Sequence, residues 1–221
     1  MTANRNGNDI VAARFYGISF ILAFLSYGFG NAMIESGIAN LGSATEANFD
    51  YRLAIISMTI IHTFANIGVV TVMYAVLSRY SRFLVIGYLA LSVIATASLL
   101  VGGGLLALIP QANGLDGDSA ADIVALLHKS NFVLYQAGMT VWGVGGILMC
   151  VVLWRTKLVP RWLPTWGFAG YAIFIFGTIS EFFDSGIGVS MSLPGGLFEI
   201  GLSCYLILKG FNYQNAEREA A

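Results

Sequence analysis

A few polar residues interrupt the long apolar stretches of this 221-residue sequence, and their side chains are the ones that could do chemistry. They are Tyr27, Asn31, Thr59, His62, Asn66 and Glu199. Thr59, His62 and Asn66 follow one another at intervals of three and four residues, which places them on one face of a helix. A carboxyl, an imidazole and an amide in one pocket could bind a small polar or amphiphilic ligand, relay a proton or hold one metal ion.

The stretches that carry these residues are long enough to cross a membrane. Hydrophobic residues make up 57% of the chain and charged residues only 10%, against roughly 25% in an ordinary globular protein. Six charge-poor intervals result, with Glu199 as their only charge: 15–34, 53–78, 83–115, 130–154, 162–180 and 185–208. Each approaches or exceeds the length of about 20 residues that a helix needs to cross about 30 Å of hydrocarbon.

The sequence therefore predicts an all-α fold, a polytopic bundle of six transmembrane helices in a single domain over residues 1–221. The spans, numbered one to six along the chain, are expected at about 13–34, 53–78, 83–109, 120–154, 162–183 and 192–211. Span four should be one unbroken helix whose first turns project beyond the hydrocarbon. Pro164 and Pro194 are expected in the first turns of spans five and six, where proline is tolerated. An irregular outer loop is expected over 35–50.

The charges lie unequally on the two sides of such a bundle. If the spans alternate in direction, one side holds nine of the eleven basic residues: Arg5, Arg14, Arg79, Arg82, Arg155, Lys157, Arg161, Lys209 and Arg218. Since Lys and Arg are retained in cytoplasmic loops, both termini are expected in the cytoplasm. The net charge of −1 divides between the two sides, and we expect no nucleic-acid partner.

The rise of a helix gives the depth of each polar residue relative to the basic residue at the inner end of its span. Glu199 lies about 15 Å above Lys209, and His62 about 25 Å above Arg79. Tyr27 and Asn66 come at about 20 Å and Asn31 at about 25 Å. These depths predict a polar pocket in the middle to outer half of the membrane, lined by spans one, two and six. Three acids are expected at its outer rim: Glu35, Glu181 and Asp184.

Each pocket residue also has a structural interpretation. Polar side chains within membrane bundles often serve only as hydrogen-bond partners between helices, worth about 0.6 kcal/mol on average. Glu199 must be neutral, paired with a cation or in contact with water, and no Lys or Arg lies at its depth. Its carboxyl either has a function or is bonded to a Tyr or Asn of a neighbouring span. A haem held by both histidines is disfavoured, because His128 lies roughly 15 Å above His62 on straight helices.

The last third of the chain carries recognisable motifs. Residues 153–163 read LWRTKLVPRWL, 193–202 read LPGGLFEIGL, and 14–17 at the start of span one read RFYG. In this order the sequence resembles the bacterial integral-membrane family catalogued as domain of unknown function 4386. The resemblance implies six helices and the bacterial cytoplasmic membrane, and it implies no activity and no site residues.

Two functions remain open on these observations. The first is a multi-pass membrane protein, surrounded by the lipid bilayer, that binds a small amphiphilic ligand or lipid in the outer-half pocket. The second is a membrane-embedded enzyme in which Glu199 and His62, alone or with a metal, act as acid/base groups or ligands. The sequence assigns no metal-ligand set and no cofactor, and it leaves the oligomeric state open.

Overall fold

The computed structural model describes residues 7–41, 49–112 and 118–214, and these fold into the six predicted spans with no strand among them. Span one is the helix Gly7–Leu41, span three Arg82–Leu106 followed by a short helix Ile109–Ala112, and span four Asp118–Thr156. Span two joins the helices Phe49–Ile56 and His62–Leu77 through a π-helical segment, Ser57–Ile61. Span five is Trp162–Ser180 with a 3-10 turn at Glu181–Phe183, and span six is Gly188–Lys209. The protein is a six-helix multi-pass membrane protein.

Span four is one continuous helix of 39 residues, as the sequence predicts. At 1.5 Å per residue it is about 58 Å long, nearly twice the thickness of the hydrocarbon. Lys129 in its outer part reaches Asp184 after span five, with 3.2 Å between the ammonium nitrogen and the carboxylate oxygen. The outer end of this helix therefore carries charged groups.

Spans one and two begin earlier than predicted, at Gly7 and Phe49, and two further helix ends also differ from the prediction. Span one continues as a helix to Leu41, so the expected loop from residue 35 begins later, and residues 42–48 lie outside the described part of the chain. Span six begins at Gly188, which places Pro194 inside the helix and not in its first turn. The cause is Glu181, whose carboxylate accepts a hydrogen bond from the Gly188 amide at 2.5 Å and so caps span six several residues earlier than expected.

Neighbouring spans pack in chain order, and span six packs back against span one, so the six helices form a closed ring. Close approaches at glycine fix the seams between spans five, six and one. A Cβ atom on Gly170 would lie 2.9 Å from the Pro194 carbonyl oxygen, and one on Gly17 would lie 2.6 Å from the Ser203 carbonyl oxygen. Only a residue without a side chain permits helix backbones to meet so closely.

The interior of the ring has two packed regions. The larger one occupies the inner half and includes fully buried side chains such as Met73, Leu153 and Phe198. A smaller one in the outer half is built around Ile34, Met58 and similar residues of the first three spans. On span two the inner region begins at Val69 and the outer one ends at Met58, so the residues between them, His62 and Asn66 included, pass between the two regions.

The predicted inner end brings the basic loops together. Arg14 Nε donates to the Ile207 carbonyl oxygen at 3.4 Å, and the Asn212 amide donates to the Leu158 carbonyl oxygen at 2.8 Å. The guanidinium of Arg161 lies 4.5 Å from the centre of the Trp154 ring. The starts of spans one and five and the ends of spans four and six thus share one face of the bundle.

Candidate ligand cavity within the helix ring

A cavity of about 270 Å³ lies inside the ring, between the two packed regions. All six spans contribute to its wall, whereas the sequence predicted spans one, two and six alone. The wall is mostly aromatic and aliphatic, with a few polar side chains among them. Its polar members are Tyr27, His62, Asn66, Tyr135, Trp142, Tyr171, Ser192 and Glu199. Four of the six pocket residues proposed from the sequence, namely Tyr27, His62, Asn66 and Glu199, are in this set.

Glu199 is held by donors from two other spans. The indole nitrogen of Trp142 on span four and the hydroxyl of Tyr171 on span five each donate to Glu199 Oε1, both at 2.6 Å. The phenol of Tyr171 also packs edge-on against Phe198, with 5.6 Å between the ring centres. No described residue donates to the second oxygen, Oε2, and Glu199 lines the cavity. The carboxyl is therefore fixed by one oxygen and keeps the other for a further partner.

A second polar group is built around His62 on span two. Asn66 Nδ2 lies 3.3 Å from His62 Nε2 and donates to Thr96 Oγ1 on span three, also at 3.3 Å. Because the amide nitrogen is a donor, Nε2 accepts, and the neutral imidazole carries its hydrogen on Nδ1. His62 Nδ1 is buried and has no partner in the described part of the chain. An unpaired buried donor costs free energy, so the described residues leave this polar atom of His62 unsatisfied.

Aromatic rings form the wall beside His62. The Tyr27 ring stands edge-on to the His62 ring with 5.0 Å between centres, and it stacks on Tyr135 of span four with 5.5 Å between centres. Phe20 and Phe24 of span one and Phe174 of span five continue the apolar surface. The cavity thus joins an extended apolar wall to separate polar positions at Glu199 and His62, as small-molecule sites generally do.

Thr59 does not share this wall with His62 and Asn66, although its sequence spacing placed all three on one face. The π-helical segment Ser57–Ile61 lies immediately before His62, and its wider i to i+5 turn rotates Thr59 relative to an α-helix. Thr59 packs instead on span three, where a Cβ atom on Gly103 would lie 2.8 Å from its methyl group. Its hydroxyl donates to the Ile55 carbonyl oxygen at 2.5 Å. The α-helical spacing rule fails here because the helix is not α.

The remaining proposed residues also lie away from the cavity wall. Asn31 is half-buried one turn above Tyr27, and Glu35 is exposed. Glu181 is buried and accepts hydrogen bonds from the Gly188 amide and, at 3.3 Å, from the Ser185 hydroxyl. Asp184 is exposed and pairs with Lys129. Glu181 is therefore a helix cap, and Asp184 belongs to a surface ion pair.

Sequence reasoning missed Trp142, Tyr171 and Tyr135. A signal existed for Trp142, since it is the one tryptophan of four that does not flank the basic loop between spans four and five. A tryptophan in the middle of a span has an indole N–H that needs an acceptor, and Glu199 is the acid within the spans. Tyr171 and Tyr135 carried no comparable signal, because nothing in the sequence indicates which tyrosines face the ring interior.

The arrangement supplies one fixed carboxyl and one imidazole but no metal-ligand cluster. In the described part of the chain no group of three or more His, Cys, Asp or Glu side chains comes together. No hydrogen bond joins Glu199 to His62 there either, and each is held by its own partners. The two groups can act on different parts of one ligand.

The fold and the cavity define a class, a six-helix integral membrane protein with polar groups in a mostly apolar cavity between its helices. The chain belongs to the family described as domain of unknown function (DUF4386), whose model matches residues 15–210. The match extends over the whole cavity wall and includes residues of all six spans. No curated protein and no solved structure matches the chain.

Proposed function

We propose that this protein binds a small amphiphilic ligand in the cavity within its helix ring. The ligand's apolar part lies against the aromatic wall, and its polar part contacts Glu199 or His62. The family resemblance and the basic inner face support a bacterial cytoplasmic membrane as the site of action, with both termini in the cytoplasm.

The hydrogen bonding of Glu199 is the main support for this proposal. Glu199 is fixed through Oε1 by Trp142 and Tyr171, and Oε2 is left for a partner that no described residue supplies. Holding a carboxyl within a span is costly, on the order of 2.5 to 3.5 kcal/mol on insertion scales. A purely structural carboxyl would be expected to use both oxygens. The unpaired Nδ1 of His62, on a residue of the same wall, supports the proposal from a second span.

An acid/base enzyme built on Glu199 and His62 is the competing function. Such a pair normally acts through direct contact or through a substrate that both groups reach. The separate anchoring of the two side chains favours a binding role, in which each contacts a different part of the ligand. Turnover of an added amphiphile would favour the enzyme.

Retention of amphiphiles by the purified protein tests the proposal. The protein in lipid nanodiscs is offered long-chain monoacylglycerol, alkylamine and alkyl sulfate in turn, and retained molecules are counted by native mass spectrometry after release from the disc. We expect about one molecule per chain for at least one probe. Glu199→Leu and His62→Leu should reduce retention, whereas Glu35→Gln, on an exposed residue outside the cavity wall, should not.

Absence of any retained probe in the unmodified protein would overturn the proposal. Equal retention by Glu199→Leu and Glu35→Gln would also contradict it, since the bound molecule would then lie elsewhere.

A further inference from the structure

We infer that the cavity is filled sideways from the bilayer, through a gap between the outer halves of spans one and six. We further infer that its occupant is a single-chain amphiphile whose head donates hydrogen bonds and carries no negative charge. This inference rests on the proposed function and specifies its ligand and its access route.

The contacts between spans one and six that the structure shows at Gly17 and Arg14 lie in the inner half of the membrane. There a Cβ atom on Gly17 would lie 2.6 Å from Ile207 Cγ1, and Arg14 bonds to the Ile207 carbonyl oxygen. Further out, span one packs on span two, since a Cβ atom on Gly30 would lie 2.8 Å from the Ala54 carbonyl oxygen. At Gly28 and Gly30, in the outer half of span one, the close neighbours do not include span six.

Span six packs on span five in the outer half. A Cβ atom on Gly177 of span five would clash with the Met191 side chain, and Gly188 at the start of span six bonds to Glu181. The outer halves of spans one and six thus each have a close helix contact on their other side. Among the described residues, none fills the space beside Gly28 or Gly196, and this space is the gap between the two spans.

Each of the two spans has one glycine at this gap. Gly28 and Gly196 both line the cavity, yet a Cβ atom built on either would meet nothing within 4 Å. Both lie about 20 Å above the inner basic residue of their span, within the hydrocarbon of the membrane. The gap is therefore bounded by two unobstructed positions at one depth.

The gap opens on the lipid-facing surface of the bundle. Phe24, Leu193 and Leu197 line the cavity and are also 49%, 59% and 53% exposed. Side chains that belong to both the cavity wall and the outer surface mark a mouth. Because this mouth lies at hydrocarbon depth, the molecules that reach it are those dissolved in the bilayer.

The charge of the wall selects the head group. Among the described residues of the wall, Glu199 is the only acidic one and His62 the only histidine, and none is Lys or Arg. An anionic head would meet a carboxyl and no cation, whereas an ammonium or hydroxyl head can donate to Glu199 Oε2.

The size of the cavity limits the number of acyl chains in the ligand. Its volume of about 270 Å³ falls just under the usual range of roughly 300 to 1,000 Å³ for ligand sites, which favours one chain over two.

Quenching of Trp142 fluorescence by brominated amphiphiles tests both parts of the inference. Trp142 lines the cavity and is buried, so a bromine atom in the surrounding lipid does not contact it. In a variant with Trp154, Trp162 and Trp166 changed to Phe, Trp142 is the only tryptophan left. Nanodiscs containing this protein are mixed with brominated monoacylglycerol, alkylamine or alkyl sulfate, and the rate and extent of quenching are recorded.

We expect monoacylglycerol and alkylamine to quench Trp142, and alkyl sulfate to need a concentration about tenfold higher or more. Gly28→Phe and Gly196→Phe, made separately, should slow quenching about tenfold or more because each ring fills the gap. Gly104→Phe is the matched control: its glycine also faces open space, on span three and outside the cavity wall, so the rate should not change. Circular dichroism and gel filtration establish that each variant is folded.

The outcomes separate the two proposals. If no probe quenches Trp142 in the parent, the proposed function is wrong. A second outcome is that the probes bind while Trp142 is quenched as fast in Gly28→Phe and Gly196→Phe as in the Gly104→Phe control. In that case the lateral gap is wrong and the binding cavity stands. Equal quenching by alkyl sulfate would overturn the head-group preference.

Discussion

Trp142 donates its indole hydrogen to Glu199 Oε1 at 2.6 Å, which joins span four to span six in the middle of the bundle. Tyr171 on span five donates to the same oxygen at the same distance. One carboxyl oxygen thus ties three helices together without a cation. These two hydrogen bonds fix the position of the carboxyl at the polar end of the cavity.

Glu199→Gln should keep the fold, because the amide oxygen can accept both hydrogen bonds. Glu199→Leu removes the acceptor and leaves two buried donors without a partner. Interhelical hydrogen bonds in membranes average about 0.6 kcal/mol and reach about 1.7, so we expect Glu199→Leu to cost about 1 to 3 kcal/mol of unfolding free energy. The measurement is reversible unfolding of the protein in mixed micelles.

Trp142→Phe and Tyr171→Phe serve as controls for Glu199→Leu. Each removes one of the two donors, so each should cost less than Glu199→Leu alone. If Glu199→Leu is as stable as the unmodified protein, the two hydrogen bonds do not hold the three spans together.

The six spans were predictable because hydropathy and length alone decide whether a helix crosses a membrane. The closed ring was not, since lipid-facing and buried apolar residues look alike in the sequence. For the same reason, the sequence did not identify Tyr135 and Tyr171, which line the cavity. Glu199, His62 and Asn66 stood out as polar residues at related depths, whereas Tyr171 resembles any other tyrosine of a span until its neighbours are known.

Local helix geometry limited the prediction in a second way. The face assigned to Thr59 assumed 3.6 residues per turn, and the π-helical segment Ser57–Ile61 breaks that assumption just before His62. The start of span six was misplaced because its cap, Glu181, is supplied by the preceding span. The first error arises from backbone hydrogen bonds and the second from a hydrogen bond between a side chain and a distant amide, and the local sequence specifies neither.

Gly146→Ala should disturb the Glu199 network from a distance. A Cβ atom on Gly146 would overlap the ring of Tyr171, which must then move away from Glu199. Overpacking of this kind costs about 1 to 3 kcal/mol. Thermal unfolding in detergent should show the loss, and Gly104→Ala, where a Cβ atom meets nothing, should show none.

A double-mutant cycle identifies the cause of the Gly146 effect. In a Tyr171→Leu background the clash is relieved, and Gly146→Ala should cost clearly less than it does beside Tyr171. An identical cost in both backgrounds would mean that the glycine acts elsewhere.

Two outer acids should differ sharply in their contribution to stability. Glu181→Ala removes the cap of span six, and we expect a loss of about 1 to 2 kcal/mol in unfolding free energy. Asp184→Asn breaks only the ion pair with Lys129. The side chain of Asp184 is 82% exposed and that of Lys129 is 62% exposed, so we expect the unfolding free energy to change by less than about 1 kcal/mol. Asparagine is used because residue 184 has a positive φ of 54°, which Asn tolerates.

Parallel unfolding of these two variants checks the contrast. If Asp184→Asn costs as much as Glu181→Ala, the surface ion pair is stronger than its exposure indicates.

The orientation of the bundle follows from the unequal division of its basic residues, and cysteine labelling in intact cells tests it. Asp122 is exposed in the outer part of span four, and Ser81 lies in the turn between spans two and three beside Arg79 and Arg82.

The labelling uses a Cys204→Ala background, and Cys150 is left in place because it is buried. In this background, Asp122→Cys should react with a membrane-impermeant maleimide. Ser81→Cys should react only after the cells are permeabilised, since positively charged loops stay in the cytoplasm. Reaction of Ser81→Cys in intact cells, with Asp122→Cys protected, would reverse the orientation and put the gap between spans one and six in the inner half of the membrane.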